Sequence, residues 1–155
     1  MTKWSGEFVY RREMTLDEIK VQCARLSPWA HVATVGSDNQ PDVSPVHPCW
    51  EADTLWVMCF NGSVKVQNAR VNPNVAFHWQ VDASGDGVEL WGLATIVDDL
   101  ETKRRMWNGV FDYDLSAFAP GGPDNSPDTV FMAVQPTRAV YLKMYGANGS
   151  HRWSA

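Results

Sequence analysis

Strand-like segments follow one another directly between residues 30 and 60, with turns rather than helices between them. Residues 30–35 are short and apolar, and a Gly-Ser-Asp-Asn turn separates them from a second extended segment over residues 42–50. Glu51-Ala52-Asp53 forms a tight turn before a returning strand over residues 54–60. Parallel strands need a longer crossover than these turns provide, so the segments predict a three-stranded antiparallel meander.

Helix signals occur at three places. The first is a capping box in Thr15-Leu16-Asp17-Glu18, followed by apolar residues at helical spacing. Pro28 ends that helix, because the residue before a proline disfavours helical backbone. The other helices are predicted from Ser63 to just before Asn72-Pro73, and over residues 100–110 after Asp98-Asp99. The remaining strands are predicted over residues 74–80, 88–97, 129–134 and 139–144.

The order α-β-β-β-α-β-β-α-β favours an antiparallel barrel with peripheral helices over a doubly wound parallel sheet. A chain of 155 residues is long enough to bury one substantial core. We therefore predict a mainly β protein with a single domain over residues 1–155, in which residues 1–14 and 146–155 are peripheral tails.

The charge balance limits the partners of the chain. Its formal net charge is −5, and its 13 basic residues are scattered. Nucleic acids and anionic membranes select clustered lysine and arginine, so we expect neither as a partner. No apolar run approaches the ~20 residues of a spanning helix. The N-terminal residues lack an apolar signal region, and the chain has only three cysteines, so we expect a cytoplasmic protein with reduced thiols.

The eight tryptophans allow two interpretations. Large rings fill the core of a small β protein, and they also stack on flat ligands. Composition does not choose between these roles.

Ser63-Val64-Lys65 lies where a strand is predicted to turn into a helix. A helix start offers unpaired N–H groups and the positive end of the helix dipole. A serine hydroxyl and a lysine cation in the first turn complete the parts of a phosphate site. The alternative is an ordinary capped helix with an exposed lysine.

The second extended segment holds His47 between two prolines, Pro45 and Pro48. Prolines favour an edge strand or a bulge and leave backbone groups free for a ligand. The alternative is a solvent-exposed histidine on an edge strand. His31 and His78, in apolar strand contexts, are predicted to be hydrogen-bonded core residues.

His47, Cys49, Cys59 and His78 do not have the spacing of a zinc finger or ribbon, so we expect no structural zinc among them. A turn at Ala52-Asp53 would pair Cys49 with Trp56 and Cys59 with Val46, on opposite faces of the hairpin. The cysteines are therefore predicted to be buried thiols.

No nucleophilic constellation is present. Asp112 and Asp114 are interpreted as cap and turn residues. Lys103-Arg104-Arg105 is interpreted as a solvated helix face.

The motifs of the chain, taken in order, resemble a known family. Ala33-Thr34-Val35-Gly36, Ser44-Pro45, Ser63-Val64-Lys65 and Asn72-Pro73 resemble the opening of the flavin-binding split-barrel family of the pyridoxamine 5′-phosphate oxidases. The second half is similar to the general stress protein 26 subfamily, in the segments Leu90-Trp91-Gly92-Leu93-Ala94, Val97-Asp98-Asp99, Met106-Trp107-Asn108 and Pro120-Gly121-Gly122-Pro123-Asp124.

This resemblance implies a six-stranded antiparallel split β-barrel that forms a homodimer and holds FMN at the subunit interface. It places the flavin phosphate on Ser63 and Lys65, and it makes His47 the candidate catalytic residue. The other implied cofactor contacts are Ser44, Pro45, Val46, Met58, Cys59 and Trp107.

The implied function is that of an FMN-dependent oxidoreductase acting on an unknown small molecule. Relatives place an arginine on the second strand, and residues 42–46 contain none. The alternatives are a flavin-binding module without turnover and a reductase that uses the deazaflavin coenzyme, and FAD is a further alternative cofactor.

Overall fold

Residues 11–79 and 81–155 are described by a computed structural model. Their strands are β1 (Arg11–Glu13), β2 (Ala30–Val35), β3 (Pro41–Val46), β4 (Cys49–Glu51), β5 (Thr54–Phe60), β6 (Asn74–Trp79), β7 (Gly87–Val97), β8 (Thr129–Leu142) and β9 (Ser150–Ser154). Their α-helices are α1 (Leu16–Leu26), α2 (Val64–Val71) and α3 (Leu100–Met106), and short 3₁₀ turns cover Leu115–Ala117 and Met144–Gly146. No helix in these two ranges is long and apolar enough to cross a membrane.

The long strand β8 organises the sheet. It pairs with β7 along most of its length, with β5 over residues 129–134 and with β9 over residues 138–142. The main path runs β1-β9-β8-β7-β6-β2-β3, and β4 extends β5. Every pairing is antiparallel except β1 with β9. Because β8 exchanges one neighbour for another part-way along, the sheet closes only partly, as a split barrel does.

Six strands have six residues or more, namely β2, β3, β5, β6, β7 and β8. They confirm the predicted mainly β fold class and the six-stranded antiparallel barrel. The short strands β1, β4 and β9 are additions at its edges.

Strand β5 is buried on both faces and separates two apolar clusters. Leu55, Val57 and Cys59 belong to the large cluster inside the barrel. Trp56 points the other way, into a smaller cluster that includes Phe111 and is built largely by the segment after α3. Successive side chains of a strand alternate between its faces, so β5 forms one wall of each cluster.

The capping box at Thr15 and Glu18 forms as predicted, and α1 ends before Ser27. The helix α3 ends at Met106 instead of continuing to Val110, and Asp99 is its N-cap. The predicted solvated basic face is wrong at Lys103, whereas Arg104 and Arg105 are exposed. Lys103 is buried, and its Nζ donates a hydrogen bond to the Ser126 carbonyl at 3.2 Å.

The predicted meander is wrong at its second strand. The chain breaks at His47-Pro48, so β3 pairs with β2 and the separate strand β4 pairs with β5. Cys49 faces Trp56 as predicted, but the pairing of Val46 with Cys59 does not form. The prolines explain the break, because each removes a backbone donor from the ladder.

The C-terminal residues and His31 also differ from the sequence interpretation. Part of the expected tail forms β9, which pairs with β8. His31 is exposed rather than part of the core, since alternate positions of β2 face solvent.

Candidate functional site

A cavity of about 360 Å³ opens between the end of β3, the outer half of β5, the start of α2 and the segment after α3. We call it the β3–β5 cavity. It is lined by Trp29, Pro45, Val46, His47, Met58, Cys59, Phe60, Lys65, Tyr113 and Phe118. A larger cavity of about 580 Å³, between Arg12, Arg138 and Arg152 at the sheet edge, holds none of the predicted site residues.

The β3–β5 cavity brings together most of the residues that the resemblance implied. Those lining it are Pro45, Val46, His47, Met58, Cys59 and Lys65. Ser44 lies two residues before Val46 on the same face of β3, and its Oγ is buried without a hydrogen-bond partner in the described part of the chain. Ser63 is the N-cap of α2 and is not among the residues that line the cavity.

The predicted contact Trp107 is not among the residues that line the cavity. Its ring packs edge-on against Phe131 with centroids 6.0 Å apart, and its Nε1 donates to Ser116 Oγ at 3.0 Å. Trp107 therefore packs with the smaller apolar cluster. The tryptophan that lines the cavity is Trp29, whose side chain is mostly exposed.

The start of α2 places a cation and backbone donors beside the cavity. Ser63 is the N-cap, as predicted, but its hydroxyl donates to the Phe60 carbonyl at 2.7 Å and caps no helix N–H. The first helical hydrogen bond runs from Val66 N to Ser63 O, so the N–H groups of Val64 and Lys65 precede it. Within residues 11–79 and 81–155, no carboxylate forms an ion pair with Lys65.

His47 is held by the segment that follows α3. Its Nε2 lies 2.8 Å from Asp112 Oδ1, and its ring packs on Tyr113 with centroids 4.4 Å apart. The ring of Trp29 meets His47 edge-on at 6.4 Å. His47 is thus half-buried and fixed by neighbours on two sides, unlike the free edge-strand histidine of the alternative interpretation.

Burial shapes the acid–base properties of the cavity wall. It raises the pKa of the Cys59 thiol to about 11, although the charge of Lys65 opposes the shift. It also raises the pKa of Tyr113, with smaller contributions from Cys49, Cys59 and Asp112. These groups are therefore protonated at neutral pH and offer the cavity neutral, mostly apolar surface.

Several residues of the site escaped the sequence analysis, namely Trp29, Phe60, Asp112, Tyr113 and Phe118. Asp114 does cap a turn, as interpreted, by accepting from Ser116 N. Asp112, interpreted as a cap or turn residue, instead faces His47. The density of aromatic residues between Phe111 and Phe118 was the available signal, but nothing local indicates which strand they cover.

A family model described as pyridoxamine 5′-phosphate oxidase matches residues 17–143, from α1 through β8. The chain belongs to the pyridoxamine 5′-phosphate oxidase family. The match includes all of the long strands and both walls of the β3–β5 cavity. No curated protein matches the sequence.

Two of the solved structures similar to the chain are general stress protein 26 and a protein related to it. General stress protein 26 from Bacillus anthracis str. Sterne is 25% identical, with a TM-score of 0.62 over 83% of this chain and 94% of that chain. A protein related to general stress protein 26 from Clostridium acetobutylicum is 18% identical, with a TM-score of 0.71 over 88% of this chain and 92% of that chain.

Another similar structure is that of an FMN-binding protein. A pyridoxamine 5′-phosphate oxidase-related, FMN-binding protein from Nostoc punctiforme PCC 73102 is 16% identical to the chain. Its TM-score is 0.65, over 99% of this chain and 90% of that chain. At this identity the likeness establishes the fold alone.

Proposed function

We propose that the chain binds FMN in the β3–β5 cavity and acts as a cytoplasmic, flavin-dependent oxidoreductase on a small molecule. The observation that carries the proposal is the placement of Lys65 and the start of α2 at a cavity whose other walls are aromatic and apolar. FMN has this division, with a phosphate at one end and a flat ring at the other.

The phosphate end fits the start of α2. Within the described residues no carboxylate forms an ion pair with Lys65, and the N–H groups of Val64 and Lys65 come before the first helical hydrogen bond. Anions bind at such helix starts because N–H groups and the dipole act together. In this proposal Lys65 and the backbone at Ser63–Lys65 hold the phosphate.

The ring end fits β3 and β5. Met58 and Tyr113 supply apolar and aromatic surface, while Ser44 Oγ and His47 supply polar groups. A buried hydroxyl without a partner is costly, and a polar ring edge would satisfy it. Bound FMN supplies the redox chemistry; Ser44 and His47 orient the ring, and the cavity walls limit access of water.

A second copy of the chain would complete the site. The cavity volume of about 360 Å³ is near the lower end of the range of roughly 300–1,000 Å³ for ligand pockets. Trp29, Phe60 and Phe118 at its rim are 60%, 52% and 61% exposed. Exposed apolar groups around a cavity mark an interaction surface. We therefore propose a homodimer that covers this rim.

The test is titration of the purified protein with FMN, followed by absorbance and flavin fluorescence, with light scattering for the oligomeric state. We expect tight binding that quenches flavin fluorescence, and a dimer at micromolar concentration. A protein that ignores FMN, or that binds it as a monomer with an open cavity, would contradict the proposal.

Turnover distinguishes the oxidoreductase from a flavin-binding module. We expect NADH or NADPH to reduce the bound flavin and an added acceptor to reoxidise it. Stable binding without reduction would favour the module. The deazaflavin coenzyme has a longer acidic tail, and beyond Lys65 the nearest basic residue on α2, Arg70, is engaged by Asn61, so FMN is the better fit.

A further inference from the structure

A histidine, a cysteine and an aspartate meet beside the β3–β5 cavity. The ligand atoms of His47, Cys49 and Asp112 all lie within 4.8 Å of one another. Asp112 Oδ1 is 2.8 Å from His47 Nε2 and 3.3 Å from Cys49 Sγ. A tetrahedral zinc ion holds nitrogen, oxygen and sulfur ligands roughly 3.3–3.7 Å from one another. The distance from Asp112 to Cys49 lies in this range, and the shorter distance from Asp112 to His47 would lengthen when an ion binds between them.

The fold holds these ligands from two directions. His47 and Cys49 flank the buried Pro48, at the break between β3 and β4. Asp112 comes from the segment after α3, where the preceding Phe111 is anchored in the smaller apolar cluster. The packing of Tyr113 on His47 ties the two segments together. The three ligands are thus positioned without an ion.

A second observation points to a ligand at this cluster. His47 Nε2 is buried and makes no hydrogen bond within the described residues, although Asp112 is at ion-pair distance. Cys49 is only 8% exposed. The Cys49 thiol donates to Asp112 Oδ1 at 3.3 Å, so His47 Nε2 is the buried polar atom of the cluster without a hydrogen bond in the described part of the chain. Such an atom is costly, and one cation between the three residues would coordinate it together with the thiol and the carboxylate. The Asp112 side chain is 66% exposed and gives an ion a path of entry.

We propose that His47, Cys49 and Asp112 bind a zinc ion, with water as the fourth ligand. The nitrogen, sulfur and oxygen donors suit zinc, and three protein ligands leave one position open. On binding, the Cys49 thiol gives its proton to solvent and a sulfur–zinc bond forms, without any change of oxidation state. His47 Nδ1 stays free of the metal, and the proposal stands whether or not FMN binds.

The test uses chelator-treated full-length protein titrated with Co²⁺, whose thiolate complexes absorb in the near ultraviolet. We expect about one equivalent to bind with a sulfur-to-cobalt band, and Zn²⁺ to displace it. Proton release in weakly buffered solution should accompany binding. Wild-type protein that binds no Co²⁺ or Zn²⁺, or that binds Co²⁺ without the sulfur band, would overturn the site.

Matched variants separate the cluster from adventitious binding. Cys49→Ser and Asp112→Asn should each weaken Zn²⁺ binding by at least about tenfold, and Cys49→Ser should abolish the band. Cys23→Ser tests a thiol of the other apolar cluster that does not line the cavity, and Asp114→Asn tests a neighbouring aspartate that caps a turn, a role that asparagine also fills. Both should bind as the wild type does. Unchanged affinity in Asp112→Asn, an exposed substitution that should not affect folding, would refute the proposal.

Discussion

Gly92 of β7 and Gln135 of β8 approach so closely that a Cβ on Gly92 would lie 2.7 Å from the Gln135 carbonyl oxygen and 2.6 Å from Val134 Cγ1. The ladder between β7 and β8 is irregular at this point, between Trp91 and Gly92. On its opposite edge, β8 stops pairing with β5 at Val134 and begins to pair with β9 at Arg138. The glycine therefore permits the irregularity at which the barrel splits.

We expect Gly92→Ala to destabilise the protein by about 1–3 kcal/mol, because backbone and a β-branched side chain must shift to admit the methyl group. Thermal unfolding measures the effect. Gly62→Ala is the control, since nothing lies within 4 Å of its added Cβ. Equal melting temperatures for the two variants would show that the contact at Gly92 relaxes freely.

Lys103 provides a second stability test. Its 7% exposure and its hydrogen bond to the Ser126 carbonyl connect α3 to the proline-rich loop. We expect Lys103→Ala to cost about 1–3 kcal/mol in denaturant unfolding, through the lost packing of its buried stem and the loss of one of the two hydrogen bonds that the Ser126 carbonyl accepts. Arg104→Ala, which removes only the exposed pair with Asp124, should leave the denaturant midpoint nearly unchanged. A reversed order would contradict the buried role of Lys103.

The phosphate assignment predicts a difference between FMN and riboflavin, which lacks the phosphate. Wild-type protein should bind FMN at least about tenfold more tightly than riboflavin, since charge-assisted bonds to phosphate are strong. Lys65→Ala should weaken FMN binding at least about tenfold and leave riboflavin binding nearly unchanged. Lys143→Ala, far along the chain, is the control. Fluorescence titration of the three proteins with both flavins measures these affinities, and an equal loss for both flavins would place Lys65 away from the phosphate.

In chelator-treated protein, the three buried thiols predict a loss of stability at alkaline pH. Burial raises the pKa of Cys49 and Cys59 from 9.0 to about 11, and that of Cys23 to about 12. Above pH 9 the unfolded chain loses thiol protons that the folded chain keeps, so the free energy of unfolding falls as pH rises. Denaturant midpoints should drop between pH 9 and 11. Cys23→Ser should flatten this dependence, and an unchanged slope would argue against burial of that thiol.

Thiol reactivity gives an independent check of the same burial. At pH 8 a thiol reagent should label the native protein slowly and the unfolded protein rapidly, because the thiolate is the reactive form. Fast labelling of the native chain would indicate a thiol that is accessible.

Local patterns in the sequence determined the secondary structure and the fold class. The capping box at Thr15, the turn at Ala52-Asp53 and the glycine–serine break before α2 act within a few residues, so their physics is visible in the printed chain. Local sequence also placed Lys65 in the first turn of a helix. The order of the motifs along the chain indicated the family. Residues on β3, β5 and α2 were therefore assigned to the site from sequence.

Only the tertiary structure decided which distant segments meet. Lys103 looks like a solvated residue in sequence, yet the loop at Ser126 covers it. Asp112 resembles a turn residue, yet packing of Phe111 in the smaller apolar cluster places it 2.8 Å from His47 Nε2. Trp107, predicted as a cofactor contact, packs against the smaller apolar cluster, and Trp29 lines the cavity. Side-chain burial and ligand geometry depend on contacts between residues far apart in the chain, which no local pattern encodes.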